Sequence, residues 1–368
     1  MWNMLSPTTL ISSRTSDVFL ALVRLGIGHD RSCFPNEVDW LAIKTLADQH
    51  GLSAVVLDGI EKLPDNSRPP KDVLLNWIGE TLQEYEQRYA LYGKAIAEMA
   101  GWHNANGFKM MVLKGYACAM NWPKPEHRPC GDIDIWQFGQ QKEADDLLAR
   151  EMKIKVDTSE HHHTVYYWRD FMVENHYDFL NVYQHKSSAE MEKIFKELGK
   201  DDSCFVEMNG EKVYLPSPNM HALFLLKHSM CHFAAESITL RQLLDWAFFV
   251  EKHGGEVEWD WLEKILEQYG MRHMYDIYNA ICVGNLGFDV NLFPKVQFNP
   301  DLKERVLNEI LSPQYPINDL PTNILKRVVF KYKRWRDNAW KHRLCYKESM
   351  WSSFWSGVWM HLLKPSQI

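Results

Sequence analysis

The sequence predicts an α+β protein in which a small central sheet lies between two helical regions. Apolar residues recur at spacings of three and four up to about residue 106, and this helical spacing returns in residues 217–368. Between them, residues 107–216 carry short apolar and alternating runs that are typical of strands. We therefore expect an N-terminal helical region over residues 1–106, an α/β core over 107–216 and a C-terminal helical region over 217–368.

The first helical region contains three predicted helices. Two of them span residues 17–25 and 36–50, where apolar side chains recur at helical spacing. A longer helix is predicted over residues 71–105, because Pro69-Pro70 precedes it and Asn106-Gly107 offers a natural exit. This region contains no strand-type alternation, so we place the sheet after it.

The central region contains the predicted strands and one crossover helix. An apolar run between Gly107 and Gly115 predicts a buried strand, and Asn209-Gly210 between two apolar segments predicts a hairpin. The predicted strands span residues 108–113, 132–136, 165–168 and 171–180, the hairpin spans 204–215, and the crossover helix spans 140–150. The C-terminal region predicts helices over residues 220–235, 240–253, 259–269, 271–285, 302–311, 323–340 and 349–363.

Composition excludes several classes of protein. The hydrophobic share of 46% and the charged share of 24% are ordinary for globular chains and exclude a wholly disordered one. A formal net charge of −7 argues against a protein that coats duplex DNA. None of the seven cysteines forms a CxxC pair, so the sequence supports neither a disulfide framework nor a structural zinc site. We expect a cytoplasmic protein, because the sequence has neither a secretion signal nor a membrane-spanning stretch of about 20 residues.

Two acidic residues alternate with isoleucines in the segment Gly131-Asp132-Ile133-Asp134-Ile135. Residues i and i+2 of a strand face the same way, so Asp132 and Asp134 would present two carboxylates side by side. Two close carboxylates repel each other and raise a pKa unless a cation lies between them. Mg²⁺ favours one or two carboxylates together with substrate phosphates. The sequence therefore predicts a metal site at this strand.

A turn that suits phosphate precedes the acidic strand. The segment Val112-Leu113-Lys114-Gly115 predicts a turn between a strand and a helix, which offers backbone N–H groups and a cation to phosphate. Gly115 permits close approach of the backbone. Arg128 comes just before the acidic strand and would clamp a phosphate with paired hydrogen bonds. We expect Lys114, Gly115 and Arg128 to bind phosphate groups.

A third carboxylate is expected on a neighbouring strand. Glu174, His176 and Asp178 alternate onto one face of the predicted strand over residues 171–180. Glu174 is predicted to complete the metal site and to polarise an attacking hydroxyl, and Asp178 is its substitute. His176 is predicted to hydrogen-bond the acceptor or to act as a base. This set suits phosphoryl or nucleotidyl transfer, in which metal ions neutralise phosphate charge and align the attacking and leaving oxygens.

Together these motifs resemble the nucleotidyltransferase superfamily, and more narrowly its uncharacterised bacterial branch with a Leu-Lys-Gly start. The resemblance rests on the Lys114-Gly115 turn, Arg128, the Gly-Asp-Ile-Asp-Ile segment and the strand Val173-Glu174-Asn175-His176. It extends over roughly residues 40–250 and includes Leu240-Arg241-Gln242-Leu243-Leu244-Asp245-Trp246, which has a counterpart in that branch. The general superfamily turn is Gly-Gly or Gly-Ser, so the Lys-Gly turn fits the narrower branch.

The resemblance implies a mixed sheet of the polymerase-β type with Asp132, Asp134 and Glu174 as ligands of Mg²⁺ or Mn²⁺. It also implies an NTP donor and a helical region that closes over the nucleotide. The expected reaction is metal-dependent transfer of a nucleoside monophosphate from an NTP to a hydroxyl-bearing acceptor, with release of pyrophosphate. Three kinds of acceptor are compatible with the sequence: a small molecule, a protein side chain and an RNA end. No duplex DNA is expected.

Several other features have two or three alternative interpretations. Arg241 either binds the nucleotide or forms a helix-surface ion pair with Asp245, four residues away. The run His161-His162-His163 either binds a metal ion, touches phosphate or acceptor, or is a polar loop. His228 and His232 have a spacing that can bind zinc, but a buried helix face is the alternative.

Two rivals to the enzyme remain open at this point. The first is a regulatory protein that binds a nucleotide in the same pocket without turnover. The second is an interaction protein that uses the basic, aromatic run over residues 326–347 as its binding surface. The alternative for this run is a solvated helix whose tryptophans pack inward. An apolar stripe over residues 351–362 is expected to dock onto the protein or a second copy rather than to enter a membrane.

Overall fold

The computed structural model describes residues 13–29, 37–160, 162–183, 185–295, 297–315, 321, 323–352 and 355. Within these ranges, helices surround one six-stranded mixed sheet, which confirms the predicted α+β class. None of the helices in these ranges is long and apolar enough to cross a membrane. The predicted helix over 349–363 and its apolar stripe lie largely outside the described residues, as does His161.

The N-terminal helices include one that the spacing argument missed. Its nine residues, Ser53–Glu61, are buried except for the last, so no polar face reveals the helical period. The preceding helix begins at Trp40 rather than at residue 36, because the Asp39 side chain accepts a hydrogen bond from the Ala42 amide and caps it. The helices are α1 (Ser13–Ile27), α2 (Trp40–His50), α3 (Ser53–Glu61), α4 (Lys71–Thr81) and α5 (Arg88–Ala105), with a π-helical stretch, Leu82–Gln87, that joins α4 to α5.

The sheet combines parallel and antiparallel neighbours. In spatial order its strands are β3, β4, β2, β1, β6 and β5, with parallel pairing of β2 with β4 and of β1 with β6. The strands span β1 (Met111–Val112), β2 (Ile133–Trp136), β3 (His163–Trp168), β4 (Phe171–His176), β5 (Phe205–Met208) and β6 (Glu211–Tyr214). The predicted hairpin is confirmed, since Asn209 and Gly210 both adopt positive φ between β5 and β6.

Two strands are shorter than the sequence predicts. β1 holds only two residues of the apolar run, and β4 ends at His176 rather than at residue 180. After His176 the amides of Tyr177 and Asp178 both donate to the His162 carbonyl, which bends the chain away from the sheet. The prediction that Asp178 shares the strand face with Glu174 is therefore wrong, and Asp178 instead pairs with Lys196 at 3.1 Å.

Three α-helices of the described chain connect the strands, and the C-terminal helices follow the last strand. The connecting helices are α6 (Tyr116–Ala119), α7 (Gln141–Glu151) and α8 (Lys186–Leu198), the last of which was not predicted. The C-terminal helices are α9 (Pro218–Ala235), α10 (Leu240–His253), α11 (Trp259–Gln268), α12 (Arg272–Gly284), α13 (Pro300–Leu311), α14 (Ile324–Asp337) and α15 (Ala339–Cys345). The single helix predicted over 323–340 is thus two helices, which meet at the buried Asn338, whose side-chain amide donates to the Ala235 carbonyl.

Candidate functional site

A cavity of about 980 Å³ lies between the sheet and the C-terminal helices. Side chains from β2 and β4 line one wall, and side chains from α9, α10, α14 and α15 line the other. Ligand pockets in proteins span about 300–1,000 Å³, so this cavity has room for a nucleotide and part of an acceptor. Most of the residues predicted to be functional face it.

The three predicted carboxylates line this cavity together. Asp134 lies in β2 and is 1% exposed, and Glu174 lies opposite it in the parallel register with β4. Asp132 comes just before β2 and is half-buried. The register explains the cluster, because residues paired across neighbouring strands point to the same face of the sheet. The expected placement of Glu174 on the strand beside the acidic strand is therefore confirmed.

Asp134 is already paired with two cations through one of its oxygens. Lys114 Nζ lies 2.7 Å from Asp134 Oδ1, and His176 Nε2 lies 3.0 Å from the same atom. The second oxygen, Oδ2, is buried and has no hydrogen-bond partner among the described residues. A buried carboxylate oxygen without a partner costs free energy, so this atom is open to a further cation or donor.

The two acids of the acidic segment differ in how easily they ionise. Burial opposes ionisation of Asp134, but Lys114 and His176 outweigh it and hold the pKa of that carboxyl well below its usual range. Burial and the Asp134 charge instead raise the pKa of Asp132. Burial also favours the neutral ring of His176, yet the carboxylates of Asp134 and Glu174 outweigh it and raise its pKa to about 9. His176 is thus protonated at neutral pH, which argues against the predicted alternative that it acts as a base.

The Lys114-Gly115 turn lies between β1 and α6, as the sequence predicts. Gly115 adopts φ 55° and ψ −99°, and a Cβ on it would lie 2.4 Å from the Tyr92 hydroxyl. That hydroxyl donates a 2.6 Å hydrogen bond to the backbone carbonyl of Asp132. Only glycine permits this approach, which locks the turn against the start of the acidic strand. The sequence did not predict this role of Tyr92, since its apolar spacing in the long helix gave no sign of the bond.

Arg128 and Arg241 line the same cavity but differ in their partners. Arg128 makes a buried bidentate pair with Asp245, with Nε at 2.7 Å from Oδ1 and Nη2 at 2.9 Å from Oδ2. Trp122 Nε1 donates to the same carboxylate at 2.8 Å. The predicted surface pair between Arg241 and Asp245 is therefore wrong. Arg241 Nε is buried and makes no hydrogen bond within the part of the chain described.

Histidines contribute more to this cavity than the sequence suggests. His162 and His163 line the cavity rather than forming a solvent-facing polar loop. Burial lowers the pKa of His162 to about 3, and it also lowers the pKa of His163. His228 and His232 face the cavity from α9 with ring centroids 4.5 Å apart, and no third histidine or acid completes a metal-binding set with them in the ranges that the structure describes.

The basic C-terminal run forms part of the cavity wall. Lys331 and Trp335 of α14 and His342 of α15 line it. Other basic side chains serve packing: Lys341 is fully buried and donates to the Glu236 carbonyl at 2.7 Å. The run is therefore neither a wholly solvated face nor a surface separate from the site.

The donor set fits a divalent metal ion. Three carboxylates line the cavity beside Lys114 and His176, so several oxygen donors face the same space. Asp134 Oδ2 lacks a partner among the described residues, and the Glu174 oxygens have histidine neighbours only at 3.7 and 3.8 Å. Oxygen donors of this kind are those that Mg²⁺ and Mn²⁺ prefer.

Comparison with known proteins identifies the family of the chain. A family model described as an uncharacterised nucleotidyltransferase matches residues 36–286, which is more than half of the chain. The protein therefore belongs to this uncharacterised nucleotidyltransferase family. It is also similar to the crystal structure of an antigenic nucleotidyltransferase-like protein from Paracoccidioides brasiliensis, with 14% identity, a TM-score of 0.32, and coverage of 44% of this chain and 75% of that one. No curated protein matches the chain.

Proposed function

We propose that the protein transfers a nucleoside monophosphate from an NTP to a hydroxyl-bearing acceptor in this cavity, with release of pyrophosphate. The observation that carries the proposal is that Asp132, Asp134 and Glu174 all line this cavity, with Asp134 Oδ2 buried and unpartnered within the described chain. Membership of the nucleotidyltransferase family supports the reaction class. We further propose that the protein acts in the cytoplasm.

The three carboxylates are the proposed ligands of Mg²⁺ or Mn²⁺. When bound, the metal would neutralise phosphate charge and help to align the attacking and leaving oxygens. Lys114 already holds Asp134 in place and faces the cavity, so it is positioned to contact the donor phosphates as well. The backbone at Gly115 and the side chain of Arg241 are the other proposed phosphate contacts. Arg128 would have to share its guanidinium with Asp245 to contribute.

In the proposed step, the acceptor hydroxyl oxygen forms a bond to the α-phosphorus while the bond to the bridging oxygen of pyrophosphate breaks. The hydroxyl proton passes to the carboxylate of Glu174. His176 keeps its proton and holds the Asp134 carboxylate in position through the 3.0 Å hydrogen bond. The acceptor is a small molecule, a protein side chain or an RNA end, bound on the side formed by the C-terminal helices.

The test is incubation of the purified chain with each labelled NTP, Mg²⁺ or Mn²⁺, and a cell lysate as the source of acceptors. We expect pyrophosphate release and a labelled product from the wild type and from Asp146→Asn, which alters an exposed acid of α7. Asp132→Asn should lose both signals. Equal activity in both variants would remove the carboxylate cluster from the mechanism.

One observation favours a second candidate, a protein that binds the nucleotide without turnover. Lys114 and His176 already neutralise Asp134 without a metal ion, which lowers the electrostatic demand for one. The two candidates separate cleanly in one experiment. Stabilisation of the chain by Mg-NTP with no pyrophosphate from any NTP, metal or lysate would support the regulatory alternative.

A further inference from the structure

Three histidines and a glutamate meet at one edge of the cavity. His163 is paired directly with His176 across β3 and β4, and the two ring centroids lie 5.3 Å apart. The His162 ring lies 4.4 Å from that of His163, and the His162 carbonyl is fixed by the amides of Tyr177 and Asp178. One ring nitrogen from each histidine lies within 4.8 Å of the other two. The backbone therefore brings these rings together.

Glu174 shares this edge at distances that resemble a metal coordination shell. His163 Nε2 lies 3.8 Å from Glu174 Oε1, and His176 Nε2 lies 3.7 Å from Glu174 Oε2. Two ligand atoms bound to a tetrahedral ion at about 2.1 Å are about 3.4 Å apart. These contacts are too long for hydrogen bonds, yet they need only a small contraction to surround an ion.

Two of the three histidines lack the partners that a purely structural cluster would have. Nδ1 of His162 and Nδ1 of His163 are both buried and make no hydrogen bond within the described chain. The third ring differs, because His176 Nδ1 donates to the Asp178 carbonyl at 3.2 Å and Nε2 donates to Asp134 Oδ1 at 3.0 Å. The bond at Nδ1 fixes the ring, as is typical of a metal-binding histidine, and an ion at Nε2 would replace the bond to Asp134.

We propose that His162, His163, His176 and Glu174 form a binding site for a borderline divalent transition-metal ion such as Zn²⁺, beside the carboxylate pair proposed for Mg²⁺. Imidazole nitrogen suits zinc, cobalt and nickel, whereas Mg²⁺ demands oxygen ligands in octahedral geometry. The two sites share Glu174 but differ in the metal that they select. The histidine site does not depend on nucleotide transfer, because its ligands all come from the chain.

The test is a metal titration of the full-length chain after removal of bound metals with a chelator, with Co²⁺ as the spectroscopic probe. We expect one equivalent of Co²⁺ to bind and to give visible absorption bands of a low-coordinate site. Zn²⁺ should displace it, and a large excess of Mg²⁺ should not. His162→Gln and His163→Gln should each weaken binding by at least about tenfold. The matched control is His273→Gln, an exposed histidine outside the cavity, which should bind Co²⁺ as the wild type does.

Circular dichroism of each variant shows whether it folds. His163 lies in a strand, so if His163→Gln does not fold, the test rests on His162→Gln alone. The proposal is overturned if the wild type shows no cobalt bands, if Mg²⁺ displaces them, or if the folded cavity variants bind Co²⁺ as tightly as the control. An ion on His176 Nε2 would replace the hydrogen bond to Asp134, so Mg-NTP binding is measured separately on the zinc-free chain. Cobalt binding without pyrophosphate release would leave this site standing and remove the proposed transfer.

Discussion

Asp132 and Asp134 are two residues apart but have opposite electrostatic surroundings. Asp134 is paired with Lys114 and His176, whereas Asp132 faces the cavity with a pKa raised by burial and by the Asp134 charge. Each carboxylate therefore has a different effect on stability. Asp134 is required to compensate buried positive charge, and Asp132 adds repulsion that Lys114 relieves only in part.

Asparagine substitutions at the two positions should separate these roles. Asp132→Asn should keep or slightly raise the apo melting temperature, because it removes like-charge repulsion. Asp134→Asn should lose about 3 kcal/mol, since it leaves two cations without their carboxylate. With Mg-NTP the gain in melting temperature should shrink in Asp132→Asn relative to the wild type. A low apo melting temperature of Asp132→Asn, or an unchanged gain, would contradict the assignment.

His50 provides a pH-dependent contribution to stability and does not line the cavity. Its ring is buried, accepts a 3.1 Å hydrogen bond from the Leu240 amide and has a pKa that burial lowers to about 4. The unfolded chain binds the proton at a pKa of about 6.5, so this stability is fully present above that pH. It is lost as the pH falls from about 6.5 towards 4, and the loss amounts to about 3 kcal/mol.

His50→Asn is the matched variant, because the Asn oxygen can accept the same amide hydrogen bond but does not titrate. We expect the free energy of unfolding of the wild type to fall more steeply than that of the variant between pH 6.5 and 4. The measurement is denaturant unfolding at several pH values in this window. Parallel curves for the two proteins would show that His50 titrates alike in the folded and unfolded states.

At the scale of elements, the turn between β1 and α6 packs through Tyr92 against the start of the acidic strand. Gly115 and Gly107 both have positive φ, but only Gly115 would place a Cβ against another atom, the Tyr92 hydroxyl at 2.4 Å. A Cβ on Gly107 would meet nothing within 4 Å. Alanine variants at the two glycines therefore separate two contributions to the free energy of unfolding. One is backbone strain, and the other is the displacement of Tyr92 and of the start of the acidic strand.

Alanine at these two glycines should have unequal effects. Gly107→Ala should cost about 1–3 kcal/mol through backbone strain alone and leave Mg-NTP binding unchanged. Gly115→Ala should cost more, by about 1–3 kcal/mol for the steric overlap, and should weaken Mg-NTP binding as well. Denaturant unfolding and calorimetric titration with Mg-NTP measure the two quantities. Equal nucleotide affinity in both variants would show that the turn does not form part of the nucleotide site.

Elements with a clear period could be predicted from the sequence, and those without one could not. The Asn209-Gly210 hairpin and α10 were predicted because turn chemistry and amphipathic spacing are local properties. α3 was missed because nearly all of its residues are buried, which removes the polar face. The early end of β4 depends on hydrogen bonds to the His162 carbonyl, a tertiary contact that no local pattern encodes.

The same limit applies to the site. The pairing of Asp134 with Glu174 could be predicted, because alternation fixes which residues of a strand share a face. The Arg128–Asp245 pair could not, because it joins residues 117 positions apart through the packing of α10 against the core. The inward position of His162 and His163 likewise depends on the register of β3 with β4. The sequence therefore predicted the residues that line the cavity more fully than the contacts that hold them in place.

At the scale of the whole molecule, one hydrophobic core joins the N-terminal helices, the sheet and the C-terminal helices. Phe19 of α1, Met111 of β1 and Tyr278 of α12 all belong to it. The buried Lys341 of α15 pairs with Glu309 of α13 at 2.5 Å. Deletion of the C-terminal helices would therefore remove packing as well as a cavity wall, so point substitutions are the sharper test of what that wall does.

Lys331 and Lys333 of α14 provide that test. Lys331 lines the cavity, whereas Lys333 is exposed and does not contribute to its wall. Lys331→Glu and Lys333→Glu change the net charge of the protein equally, so any long-range effect on an anionic ligand is nearly the same and is screened beyond about 10 Å at ordinary salt. Only Lys331→Glu places a negative charge on the wall of the cavity in which we propose that the triphosphate binds. We expect it to weaken Mg-NTP binding by about tenfold or more, equivalent to about 1.4 kcal/mol, while Lys333→Glu stays close to the wild type.

Calorimetric titration at two salt concentrations measures these affinities, and the difference between the variants should persist at the higher salt concentration. Equal affinities would place the triphosphate away from α14 and leave this helix as a wall for the acceptor alone.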